Sequence, residues 1–156
     1  MRRKAFFIIV SLAFILASSF AANAAELPPA NSKPLSAIIK IIEDKNTGTI
    51  AEAEFDDGYW EVEINKNNVC QELFIDPQTG NEIRRKDIHC DDDLPPAGSL
   101  PLSTIVRSVE AQKKGIIVEV EFDDGLWKFS LIQNSRKTKI YVTPQGNVKN
   151  TATSNL

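Results

Sequence analysis

The chain has one histidine, two cysteines and one methionine among its 156 residues, and no excess of positive charge: 18 Lys and Arg stand against 21 Asp and Glu. A single histidine, His89, leaves no second imidazole for a two-histidine metal site, and its neighbours offer no nucleophile relay of the Ser-His-Asp type. A net charge of −3 gives no electrostatic footprint for a phosphate backbone, so nucleic acid is not an expected partner. Beyond the first two dozen residues no apolar run approaches the roughly 18 residues that a membrane helix requires. No stable membrane insertion of the mature chain is expected.

The N-terminus has what the remainder lacks. Met1-Arg2-Arg3-Lys4 precedes an apolar run from Ala5 to Ala17, and the small residues Ala22-Asn23-Ala24 follow. This is the pattern of a secretory signal peptide over residues 1–24. Its removal takes away three basic side chains and moves the formal charge from −3 to −6. No cysteine stands at the cleavage point to carry a lipid, so a periplasmic or secreted location is expected. In that oxidising setting Cys70 and Cys90 are expected to form a disulfide, worth roughly 3 kcal/mol in the chain-entropy picture.

A shift of 67 residues lays the chain on itself. Pro34-Leu35-Ser36 falls on Pro101-Leu102-Ser103, and Glu52-Ala53-Glu54-Phe55-Asp56-Asp57-Gly58 on Glu119-Val120-Glu121-Phe122-Asp123-Asp124-Gly125. Trp60 then meets Trp127, and 17 of 45 pairs are identical without a gap, which indicates a duplication. Ser36 and Ser103 are candidate N-caps of one short amphipathic helix per unit. Gly48 and Gly115 follow each helix, where a residue without Cβ suits a terminator or tight turn.

Alternation with period two from Ile50 to Asp56 and from Tyr59 to Asn65, around Asp57-Gly58, predicts a hairpin with a type I′ turn. Its register places Phe55 opposite Trp60, Ala53 opposite Val62 and Ala51 opposite Ile64. The second unit gives Phe122 opposite Trp127, Val120 opposite Phe129 and Val118 opposite Leu131. Phe55, Trp60, Phe122 and Trp127 are the expected centres of the core. A third strand follows in each unit, carrying Leu73 and Ile75 or Ile140 and Val142 inward. The expected fold is α+β, two tandem helix-strand-strand-strand units with each helix packed on an antiparallel sheet, joined through sheet edges or facing helices. The expected organisation is a signal peptide at 1–24, a linker at 25–33, a first repeat at 34–90, an acidic and proline-rich linker at 91–100, a second repeat at 101–149 and a loose tail at 150–156.

The Pro-Leu-Ser opener, the hairpin from Val118 to Trp127, and Leu73-Phe74-Ile75-Asp76-Pro77-Gln78-Thr79-Gly80-Asn81-Glu82-Ile83 resemble the PepSY domain family. Two such domains would cover about 34–86 and 101–149. The second departs from the pattern, because Thr143-Pro144-Gln145-Gly146 lacks both the acid and the threonine. The resemblance implies a non-enzymatic module that binds or restrains a protein partner such as a peptidase, and it carries over no catalytic residues and no cofactor.

Other constellations yield simpler readings. Asp57-Gly58 and Asp124-Gly125 are explained by turn geometry rather than by a carboxylate dyad. His89 with Asp91, Asp92 and Asp93 offers nitrogen and oxygen donors but no metal-loop spacing, and no metal site is assigned there. The polar side of the first hairpin is more distinctive. Glu52 faces Glu63 and Glu54 faces Glu61, with Asp56 beyond, whereas in the second hairpin Glu119 faces Ser130 and Glu121 faces Lys128. Uncompensated carboxylates on one rigid face attract a cationic partner. Glu52, Glu54, Asp56, Glu61 and Glu63 are therefore the expected binding residues, for a basic protein segment or, alternatively, for a cation or small ligand.

Overall fold

The computed structural model describes residues 26–90 and 93–156. The expected signal peptide, together with Asp91 and Asp92, lies outside them. In chain order the elements are α1 (Leu35–Asp44), β1 (Thr49–Asp56), β2 (Tyr59–Lys66), β3 (Val69–Ile75), β4 (Glu82–Ile88), α2 (Leu102–Glu110), β5 (Ile116–Asp123), β6 (Leu126–Gln133), β7 (Arg136–Val142) and β8 (Val148–Asn155). All eight strands form a single antiparallel sheet in the order β4-β3-β2-β1-β5-β6-β7-β8. The fold is α+β, with the two halves carrying the same element order on either side of the β1–β5 seam.

The hairpins form where the turn residues permit them. Asp57 and Gly58 at φ 47° and 84°, and Asp124 and Gly125 at 52° and 76°, adopt the left-handed conformation that a type I′ turn needs. Phe55 then pairs with Trp60 and Phe122 with Trp127, and each pair meets edge to face, with centroids 5.5 and 5.1 Å apart. These four rings share one core with Ile38, Ile39, Ile105 and Val106 of the helices. Both helices therefore lie on one face of the sheet, and the other face is left open.

Beyond that point the register differs from the simple extrapolation. Ile50, not Ala51, pairs with Ile64, and Ile117, not Val118, pairs with Leu131, because each strand carries a β-bulge. The extra residue turns the larger isoleucine side chains into the core, where Ile50 and Ile117 are buried. Gly48 and Gly115 owe their place to the same region. A Cβ at Gly48 would stand 2.8 Å from the Asn65 carbonyl oxygen and one at Gly115 2.8 Å from that of Ile132, so these glycines serve a close backbone approach rather than a helix terminator.

Each half has four strands, not three. β4 and β8 add outer strands, and residues 150–156, expected to be a loose tail, lie largely in β8, paired along β7. An outermost strand is held by backbone hydrogen bonds on one side alone and can remain fully polar, which is why no apolar alternation marked it. The Cys70–Cys90 disulfide ties the residues just past β4 back to β3, with Cα atoms 5.2 Å apart.

The described parts of the segments expected as linkers, 26–33 and 93–100, are also tied to the fold. Leu27-Pro28-Pro29-Ala30 and Leu94-Pro95-Pro96-Ala97 extend the 67-residue correspondence upstream. In each, a backbone N–H reaches the turn that closes the third strand: Lys33 N–H donates to the Pro77 carbonyl at 2.8 Å and Leu100 N–H to that of Pro144 at 2.9 Å.

Candidate functional site

The open face of the sheet is built by the alternation that builds the core. Residues between the buried ones on β1, β2 and β5 are glutamates, and the β1–β5 pairing aligns them: Glu52 beside Glu121 and Glu54 beside Glu119. With Glu52 beside Glu63 and Glu54 beside Glu61, six carboxylates occupy two adjoining rows of three across the middle of the sheet. Four were expected from the first hairpin. Glu119 and Glu121 were not, because within their own hairpin they face Ser130 and Lys128; only the seam between the halves adds them to the array.

Cations frame this array. On the β4 side, Lys86 contacts Glu72 at 2.5 Å, and the Arg84 guanidinium lies 3.3 Å above the centre of the Phe74 ring. On the other side, Lys137 approaches Glu119 at 3.8 Å, and Lys128 pairs with Asp123. The acidic middle is thus flanked by basic side chains on both sides.

Crowding raises the proton affinity of the central carboxylates. Burial is the main reason that Glu52 is pushed up to about 8, with Glu63, Glu121, Glu54 and Glu119 adding repulsion. Glu54 is raised by burial and then by Glu119 and Asp56, while Lys137 opposes. Glu61 is raised by burial and by Glu72, against Lys86 and Arg84. Near neutral pH Glu52 is therefore largely protonated and offers a hydroxyl donor among acceptors.

Beside Glu52 and the bulge at Ala51 lies an open pocket of about 340 Å³, lined by Ala51, Glu52, Glu63, Asp93, Glu121, Phe122 and Asp123. One carboxylate oxygen from each of Glu52, Glu119 and Glu121 falls within 4.8 Å of the others, and the same holds for Asp93, Asp123 and Asp124. Asp56 lies at the hairpin tip, exposed, beside Glu26 and Asp57 rather than in the middle of the array. His89 is exposed, and Asp93, considered with it at first, instead accepts a hydrogen bond from the Asp124 N–H at 3.1 Å.

The turn that carried the family resemblance is a closed hydrogen-bonded knot. Asp76 accepts from the N–H of Thr79 at 2.7 Å, its hydroxyl at 2.9 Å and the N–H of Gln78 at 3.0 Å, which holds the Asp76 carboxyl below the usual range. In the second half Thr143 takes the place of Asp76, and its hydroxyl oxygen accepts from Asn147 N–H at 3.1 Å. A family model described as peptidase propeptide and YPEB domain matches residues 5–86, more than half of the chain. The chain belongs to this PepSY family.

Solved structures similar to this PepSY protein include a candidate lipoprotein from Clostridium difficile 630, 16% identical, with 85% of this chain and 97% of that chain covered at a TM-score of 0.48. A DUF2874 family protein from Bacteroides ovatus ATCC 8483 is 19% identical over 82% of this chain and 89% of that one, at a TM-score of 0.29. A candidate periplasmic protein from Bacteroides eggerthii DSM 20697 is 14% identical over 82% and 90%, also at 0.29. No curated protein matches the chain. Among the described residues, no helix is long and apolar enough to cross a membrane.

Proposed function

We propose that this PepSY protein is an exported, non-catalytic binding module made of two tandem repeats, which docks a basic segment of a protein partner on the open face of its sheet. The observation that carries this reading is the six-glutamate array at the seam, backed by the core and bordered by cations. A dense array of carboxylates on a fixed backbone attracts and orients a cationic strand or loop, while the flanking Lys and Arg side chains repel one that is misplaced. Family membership supports a peptidase, or the sensor of an envelope signalling system, as the class of partner, restrained rather than cleaved. The signal-like residues 1–24 support a periplasmic or secreted location.

A second reading has its own observation. The oxygen atoms of Glu52, Glu119 and Glu121 stand close enough for one divalent cation. Calorimetry separates the two readings: titration with an extended lysine-rich peptide, with calcium and with zinc. Saturable, salt-sensitive heat from the peptide alone supports docking, and heat from a metal alone supports the cation site. No heat from the peptide at low salt would overturn the leading reading.

A further inference from the structure

The sheet ends on two very different edges. β4 presents Glu82, Arg84, Arg85, Lys86 and Asp87 along seven residues, the dense charge that keeps an outer strand from pairing with another chain. β8 is eight residues long and wholly exposed, and Lys149 is its one charged side chain. It contains neither proline nor glycine. Among the described residues nothing covers it.

Its hydrogen-bonding phase is fixed by two contacts. Leu156 N–H donates to the Ser135 carbonyl at 3.0 Å, so with the β7 register the even-numbered residues 150, 152 and 154 turn their backbone groups towards β7. Thr151, Thr153 and Asn155 turn theirs outward, and Lys149 is the extra residue of the bulge that separates Val148 from Asn150. In keeping with this, the Thr151 N–H is met by the neighbouring Asn150 side chain at 2.8 Å rather than by β7.

We propose that β8 is a self-complementary dimer edge, pairing antiparallel with β8 of a second copy about a two-fold axis at Ala152. An axis there opposes outward-directed residues to outward-directed residues, as a ladder requires, whereas a slip of one residue opposes them to inward-directed ones and forms no bonds. Thr151 then meets Thr153 of the other copy, a favourable cross-strand pair, and no lysine falls opposite another lysine. The same operation at β4, centred on Arg85, would set Arg84 against Lys86 and Arg85 against itself. One edge is therefore guarded and the other is suited to its own copy, which closes the assembly as a dimer instead of a filament. Both acidic arrays would lie on one continuous sheet, giving two docking sites per particle.

Sedimentation of the mature chain across a concentration series tests this, together with three variants. Wild type is expected to shift from one to two copies as concentration rises. Thr151→Lys with Thr153→Lys sets lysine against lysine across the axis and should remain monomeric while keeping a single cooperative melt, lowered only by loss of the 3.2 Å hydroxyl contact between Thr153 and the buried Thr138. Ala152→Cys should form a covalent dimer under mild oxidation, because Cα atoms about 4.5 Å apart in such a pair suit a disulfide. Asn150→Cys should not, since four residues of strand, about 14 Å, separate it from its own counterpart. A wild-type chain monomeric at every soluble concentration overturns the proposal, as does a dimer that survives the double lysine variant or fails to crosslink through position 152.

Discussion

Glu110, the last residue of α2, closes the first turn of α1: its carboxylate accepts from the Ser36 N–H at 3.1 Å and from the Ser36 hydroxyl at 2.6 Å. Glu43, near the end of α1, does the same for α2 through the Ser103 N–H at 3.1 Å and hydroxyl at 2.5 Å. The residues at the N-cap positions are Pro34 and Pro101, which have no side-chain donor or acceptor, so Ser36 and Ser103 are not the caps that their position before an apolar stripe suggested. A carboxylate at a helix C-terminus is normally opposed by the helix dipole. Antiparallel packing resolves this, because each glutamate lies at the positive end of the other helix.

The reciprocal caps lock the two halves together, and each should contribute measurably. Glu110→Ala and Glu43→Ala are expected to destabilise by about 1 to 2 kcal/mol each, as losing an N-cap does. In a double-mutant cycle of Glu110→Ala with Ser36→Ala, urea melts should give a coupling of about 1 kcal/mol, because the two residues share one interaction. Purely additive losses would mean that the carboxylate acts elsewhere.

Trp60→Ala and Trp127→Ala should each cost about 3 to 5 kcal/mol, since each buried ring leaves a cavity beside a phenylalanine it meets edge to face. Denaturant titration checks this. A loss below about 1 kcal/mol for either variant would place that ring outside the cooperative core.

The acidic array gives stability a defined pH dependence. Glu52 keeps its proton in the folded protein up to about 8, while in the unfolded chain it releases it near 4.5. Between these values the folded state binds more protons, so the contribution of Glu52 is fully present below the lower value and is lost as pH rises through the upper one. Stability should therefore fall from mildly acidic to mildly alkaline pH, and Glu52→Gln should flatten that slope and raise the melting temperature at alkaline pH. A Glu52→Gln melt that follows wild type across the range would contradict the crowding of the carboxylates.

What the sequence revealed and what it did not divide along the range of the interactions. The Asp-Gly turns, the Phe and Trp faces and the acidic rows of the first hairpin are local, so period-two alternation exposed them. The positions of Glu119 and Glu121 depend on β1 meeting β5, a pairing between halves that no spacing within one hairpin encodes. β4 and β8 escaped because an outer strand does not need an apolar side, and the bulges escaped because one inserted residue leaves the neighbouring alternation intact. The caps did leave a signal: Glu43 and Glu110 match under the 67-residue shift and sit at the end of a helix that disfavours them.

The most direct test of the docking account is quantitative crosslinking capture from envelope extract, comparing wild type with a variant carrying Gln at 52, 54, 61, 63, 119 and 121, at low and at physiological salt. Removing opposed like charges should leave the fold intact or firmer. The account predicts a defined captured protein, held more weakly as salt shortens the screening length to about 8 Å and lost with the neutralised variant. Retention of the same protein by the variant, with the same salt dependence, would contradict it.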